Sequence, residues 1–104
     1  MKLSIIILCR NVENEIIPAI KSSQFADEII AVDTGSTDRT LEICRKFGVK
    51  IVHSTTDSFS KWRNDGAKAA KGDWLLYLDS DERIPVKLAG EVLSTMQNSP
   101  HSAY

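Results

Sequence analysis

An open, mostly parallel α/β sheet carrying helices on both faces is the fold class this sequence predicts. Three observations predict it. Four short β-rich runs alternate with four helical stretches along 104 residues, and helices between strands favour parallel pairing. The first run, Leu3 to Leu8, is apolar apart from Ser4, as a strand covered on both faces requires. Polar clusters follow the runs at Arg10-Asn11, at Asp33, and at Asp79 and Asp81. Those are strand carboxyl ends, where sheets of this class bind ligands.

Leu3 to Leu8 is the first strand. It is too short to span a bilayer, and Arg10-Asn11 follow it where a leader would carry a small-residue cleavage site. Asn14 to Ser23 reads as a helix with Ile16 and Ile20 on one face and Pro18 near its first turn, where a missing N–H is tolerated. Glu28 to Val32 is the second strand. Asp33-Thr34-Gly35-Ser36-Thr37-Asp38 turns into the second helix, with Ser36 or Thr37 expected as N-cap and Asp38 in the first turn. Leu41, Cys44 and Phe47 give that helix its apolar stripe, and Gly48 suits the C′ position. Val49 to His53 is the third strand and Ser54 to Ser58 a polar loop. Phe59 to Ala70 is a helix with Phe59, Trp62 and Gly66 in register, and Trp74 to Leu78 is the fourth strand. Pro85 opens a last helix whose expected apolar face is Leu88, Val92 and Met96. Residues 98–104 are expected to fray.

Thirteen basic and fourteen acidic residues leave a net charge of −1, so no basic surface points to nucleic acid or an anionic membrane. Two cysteines make no disulfide framework. Cys9 and Cys44 are expected as reduced core thiols, which favours a reducing, cytoplasmic compartment with at most peripheral attachment to a membrane. No G-x-G-x-x-G, G-x-x-x-x-G-K-[ST] or G-x-S-x-G occurs, which excludes those dinucleotide, P-loop and hydrolase-elbow sites.

Each polar cluster has a chemical and a plain reading. Asp79-Ser80-Asp81 can share a hard divalent cation with a phosphate, or it is a solvated acidic turn. Asp33 can accept from a base N–H or a ribose hydroxyl, or it caps its own loop, the reading preferred for Asp38. Arg10 and Asn11 can hold a base or phosphate, or close a strand end. Arg63 can meet a diphosphate, or sit on a helix surface. Trp62 reads as core rather than stacking platform, and His53, without a second ligand at metal spacing, as structural.

Four segments in order resemble the N-terminal half of a family 2 glycosyltransferase with the GT-A fold, a Rossmann-like nucleotide-binding half. They are Leu3 to Asn11; Glu28 to Thr40, with its Val32-Asp33-Thr34-Gly35-Ser36; Lys61-Trp62-Arg63-Asn64-Asp65-Gly66; and Gly72 to Asp81. Two departures stand out. Arg10 occupies a position often aromatic in relatives, which puts cation–π contact in place of ring stacking, and Thr34 replaces a second acid. The wording of the second and fourth segments resembles a subgroup that acts on lipopolysaccharide-core and other cell-envelope sugars.

The resemblance implies a UDP-sugar donor site and Mg²⁺ or Mn²⁺. Its implied nucleotide-binding set is Cys9, Arg10, Asn11, Asp33, Arg63, Asp79 and Ser80, with Asp81 and Asp79 on the metal. Asp33 would accept from uracil N3–H. Transfer would invert the anomeric centre, to a glycan or lipid-linked acceptor hydroxyl, with a downstream carboxylate as base. Glu91 is a poor candidate for that base. Residues 1–97 are thus expected to be the donor-binding half, apparently truncated before the acceptor half and the base, and able to self-associate through an exposed sheet edge. Two alternatives stand beside this: a haloacid-dehalogenase-like phosphatase, which also places D-x-D after an apolar strand, and a non-catalytic nucleotide-binding or interaction fragment.

Overall fold

The computed structural model describes residues 2–54, 58–80, 84 and 86–98. The elements are β1 (Leu3–Cys9), α1 (Ile16–Ser22), β2 (Glu28–Asp33), α2 (Thr40–Lys46), β3 (Lys50–His53), α3 (Phe59–Ala69), β4 (Trp74–Asp79) and α4 (Val86–Asn98). The sheet order is β3-β2-β1-β4 and every pairing is parallel. The expected fold class therefore holds. The chain walks outward from β1 to β3, then returns to place β4 on the other side of β1. That reversal puts a topological switch point between β1 and β4.

The central place of β1 explains its apolar run. Ile5, Ile6 and Ile7 are each 0% exposed, and each such side chain contributes about 1.5–3 kcal/mol of burial free energy. Alternation sorts every strand between two layers. Leu3, Ile5, Ile7, Ala31, Trp74 and Leu78 pack with Ile16, Ala19 and Ile20 of α1, Cys44 of α2, and Val92 and Met96 of α4. Ile6, Ile30 and Val32 face the other way, onto Trp62 and Ala69 of α3. Asp79 shares the face of Leu75 and Tyr77 by the same period of two, so it emerges on the α3 side of the rim.

Helix α3 reaches the sheet through Gly66. A Cβ there would lie 2.7 Å from Ile6 Cγ2 and 2.9 Å from Val32 Cγ2. Helix α2 ends as expected at Gly48, whose φ of 73° is open to glycine. Gly48 N–H donates to the Arg45 carbonyl at 3.2 Å and Val49 N–H to the Cys44 carbonyl at 2.9 Å, a Schellman closure. It uses the Val49 N–H, so β3 starts at Lys50 rather than Val49.

Three further expectations are corrected. α1 begins at Ile16, not Asn14, because residues 11–13 are tied to a neighbouring loop and Val12 O accepts from both Glu15 N–H and Ile16 N–H, each at 2.9 Å. α2 begins at Thr40, and neither Ser36 nor Thr37 caps it; Asp38 Oδ1 takes the Thr40 N–H at 2.9 Å and lies outside the first turn. Leu88 is 44% exposed: the buried stripe of α4 runs through Ala89, Val92 and Met96, leaving Leu88 and Leu93 on its flanks. Pro85, residues 81–83 and the tail 99–104 lie outside the described residues.

Both cysteines are buried and free, as expected. A hydrogen bond with the Cys44 sulfur, together with burial, pushes the Cys9 thiol above its ordinary value. Among the described residues, no helix is long and apolar enough to cross a membrane.

Candidate functional site

Parallel pairing brings all four strand ends to one rim. The register sets Cys9 beside Asp33, Asp33 beside His53, and Leu8 beside Asp79. Two loops leave this rim, 10–15 after β1 and 34–39 after β2, and their side chains hold them together. Three successive N–H groups of the first loop donate to side chains of the second loop and of Thr40, the first residue of α2. Asn11 N–H reaches Ser36 Oγ at 3.0 Å, Val12 N–H reaches Thr40 Oγ1 at 2.9 Å, and Glu13 N–H reaches Asp38 Oδ2 at 3.2 Å. In return, Asn11 Oδ1 accepts from Thr37 N–H at 2.7 Å and Asp38 N–H at 3.3 Å. Asn11 has φ of 51°, a left-handed turn that asparagine tolerates better than most residues.

Asp33 anchors the second loop. Its side chain is 3% exposed. Oδ2 accepts from Gly35 N–H at 3.1 Å and Ser36 N–H at 3.2 Å, while Oδ1 takes the Ser36 hydroxyl. Gly35, with φ of 119°, provides a backbone geometry that side-chain-bearing residues rarely adopt. His53 Nδ1 lies 3.9 Å from Asp33 Oδ2 at the end of β3. This proximity follows from the sheet order: the last residue of a strand parallel to β2 falls beside Asp33.

A cleft of about 220 Å³ opens at the switch point. It is lined by Leu8, Cys9, Arg10, Val12, Thr34, Trp62, Asp79 and Ser80. Four of the expected site residues thus share it: Cys9, Arg10, Asp79 and Ser80. Cys9 borders it from the core, its thiol donating to the Ile7 carbonyl at 3.6 Å. Asn11 and Asp33 lie around the cleft rather than in its lining. Arg63 is also outside the lining; its guanidinium carbon sits 4.4 Å above the Tyr77 ring centroid, a cation–π contact two residues short of Asp79. Asp81 lies outside the described residues. Among the described residues no three acidic, histidine or cysteine side chains group as a metal site. Asp79 nevertheless offers an exposed carboxylate at the cleft, the hard oxygen donor that Mg²⁺ and Mn²⁺ prefer.

The family model for glycosyl transferase family 2 matches residues 4–104. The chain belongs to this family. Among curated family-like relatives, a TPR repeat-containing protein of Synechococcus elongatus is 38% identical over 95 residues, covering 88% of this chain and 24% of that one. An uncharacterized glycosyltransferase of Rickettsia bellii is 34% identical over 92 residues, covering 88% and 31%. The S. aureus TarS 1–349 structure in complex with UDP-GlcNAc superposes with a TM-score of 0.80 at 30% identity, covering 94% of this chain and 32% of that one. Glucosyl-3-phosphoglycerate synthase of Mycobacterium tuberculosis, in complex with Mn²⁺, UDP and glucosyl-3-phosphoglycerate, matches at TM-score 0.68 and 25% identity, covering 76% and 33%. The family 2 chain therefore spans about a quarter to a third of the length of these relatives, and its fold is that of GT-A glycosyltransferases. Family membership sets aside the phosphatase reading of Asp79-Ser80-Asp81.

Among the described residues, three carboxylates of this family 2 chain are held below their ordinary values. Burial opposes this at Asp38, but hydrogen bonds from the Thr40 hydroxyl, Thr40 N–H and Glu13 N–H outweigh it. Burial likewise opposes it at Glu28, where Lys71 N–H, the Ser4 hydroxyl, Lys50 and Lys71 prevail. At Asp65 the Ser54 hydroxyl leads, against burial and with Lys61. A depressed carboxylate contributes stability above its unfolded-state pKa and loses it as pH falls through the folded one. Melting midpoints should hold steady from pH 7 to about pH 5 and drop below about pH 4. A midpoint unchanged down to pH 3 would contradict this.

Proposed function

We propose that this chain is the donor-binding part of a family 2 glycosyltransferase and holds a UDP-linked sugar at the switch-point cleft. The observation that carries the reading is the convergence of the β1, β2 and β4 ends and α3 on one cleft that contains Asp79. Its volume of about 220 Å³ is below the roughly 300–1,000 Å³ of pockets that enclose whole ligands. It suits the nucleoside end of a donor whose sugar projects beyond it. The UDP-GlcNAc complex of TarS and the Mn²⁺–UDP complex of the glucosyl-3-phosphoglycerate synthase support that donor class.

This reading gives each residue a role. Asp33 receives three donors on a carboxylate with about four acceptor sites, which leaves room for one more donor, the uracil N3–H. Arg10, Asn11 and Cys9 frame the β1 side. Asp79 and Ser80 meet the ribose and diphosphate end, with Arg63 assisting. Asp79 and Asp81 would hold Mg²⁺ or Mn²⁺, which supplies positive charge to the leaving diphosphate. Transfer is to a hydroxyl of a glycan or lipid-linked acceptor, with inversion. The acceptor side and the base lie outside residues 1–97, and the setting is cytoplasmic, at most peripheral to the membrane, in cell-envelope synthesis.

Calorimetry tests this reading. UDP with Mn²⁺ should give a binding heat that EDTA removes and that Asp81→Ala weakens at least about tenfold, as loss of a charged ligand costs 2 kcal/mol or more. No metal-dependent heat, or an unchanged Asp81→Ala titration, would sink it.

A further inference from the structure

We infer that Trp62 is the ring on which the nucleotide base stacks. The inference rests on the donor-site reading above and goes beyond it by naming a residue and a mode of recognition. Among the described residues, Trp62 is the one aromatic residue in the lining of the switch-point cleft. It is half-buried. One part of the ring packs against the Ile6, Ile30 and Val32 layer, and the other borders the cleft beside Leu8, Arg10 and Thr34.

The placement is rigid. Gly66 stands one helical turn after Trp62, and its missing Cβ lets α3 sit directly on the Ile6 and Val32 methyl groups. Upstream, the Ser58 hydroxyl caps α3 by accepting from Lys61 N–H at 3.4 Å. The helical turn that carries the indole is therefore anchored on both sides of Trp62. A ring fixed in this way presents a flat apolar face at little entropic cost, and base–aromatic stacking is tolerant of base identity. Arg10, the other planar group of the lining, adds a charged face to the same cleft. Stacking on Trp62 would supply affinity for a base whatever its identity, and the choice of base is left to hydrogen-bonding groups around the cleft.

Two titrations of the full chain with UDP and Mn²⁺ test this. The protein has two tryptophans, and Trp74 lies buried in the opposite layer, so Trp74→Phe leaves Trp62 as the reporter. Its emission should be quenched on saturation. By calorimetry, Trp62→Leu should bind UDP about 5- to 150-fold more weakly, while Trp62→Phe stays within about threefold of the unaltered chain. Undiminished emission in Trp74→Phe at a UDP concentration that calorimetry shows to be saturating would overturn the inference and leave the donor site standing. So would unaltered UDP affinity in Trp62→Leu. Absence of any UDP heat in the unaltered chain would overturn both. The fluorescence arm does not depend on Trp62→Leu folding.

Discussion

Asp33→Ala should lower the melting midpoint by about 10 °C or more and abolish measurable UDP binding. The carboxylate is 3% exposed and accepts from Gly35 N–H, Ser36 N–H and the Ser36 hydroxyl. Hydrogen bonds to a charged group contribute about 1.5–3 kcal/mol each, and buried donors left without a partner cost about 1–3 kcal/mol. A net loss of about 2–4 kcal/mol follows, since part of the freed loop turns to water. For a domain of this size, each kcal/mol moves the midpoint by about 4–8 °C. Asp33→Asn separates the two roles. It keeps an acceptor for the loop, so most of the midpoint should return, yet it loses the charge that favours a uracil N–H, so UDP affinity should stay at least about tenfold down. A folded Asp33→Asn chain that binds UDP normally would remove Asp33 from the site.

A pair of glycine substitutions should move stability in opposite directions. At Gly66 an alanine Cβ would fall 2.7 Å from Ile6 Cγ2 and 2.9 Å from Val32 Cγ2. Both partners are β-branched and 0% exposed, so neither side chain can swing aside. Overpacking of this kind costs about 1–3 kcal/mol, occasionally more. The helix-propensity gain of about 1 kcal/mol offsets part of this, which leaves a net cost of up to about 2 kcal/mol and a fall in the midpoint of up to about 15 °C. At Gly90 in α4 the same Cβ meets nothing within 4 Å. There the propensity gain stands alone, and the midpoint should rise by about 4–8 °C. Thermal melts of both variants decide it; a Gly66→Ala chain as stable as Gly90→Ala would contradict the close seat of α3.

Most of the layering was legible because it rests on local rules. The apolar Leu3–Leu8 run, the punctuation at Gly48 and Gly72, and the alternation of strand and helix all state their structure within a few residues. Sheet order was not legible, since nothing local tells β3 to lie beside β2. The neighbourhood of His53 and Asp33 follows from that order, so it was not legible either. The Ser36 and Thr37 expectation failed for a related reason. A hydroxyl before a helix is a good cap, but Ser36 gives its oxygen to Asn11 N–H, 25 positions away. Leu88 failed by one step of rotation: the 88–92–96 and 89–92–96 stripes differ little in pattern, and packing selected the second. At the cleft, residue types at strand ends pointed to Arg10 and Asp79, which line it, and to Asp33, which lies beside it; Trp62 packs on the core as its periodicity indicates, but periodicity describes only the inward half of a side chain and is silent about the outward half that borders the cleft.

The crossed ties between residues 11–13 and 36–40 have a thermodynamic consequence. Ordering a flexible loop around a ligand costs about 1–2 kcal/mol for each residue fixed, and that cost is subtracted from affinity. In this chain folding has already spent it. The two loops form one brace, each satisfying the other's backbone, so under the proposed donor reading a nucleotide arriving at the rim would meet a preorganised frame. Its own torsions, rather than the protein's, carry the entropy loss on the β1 and β2 side of the site.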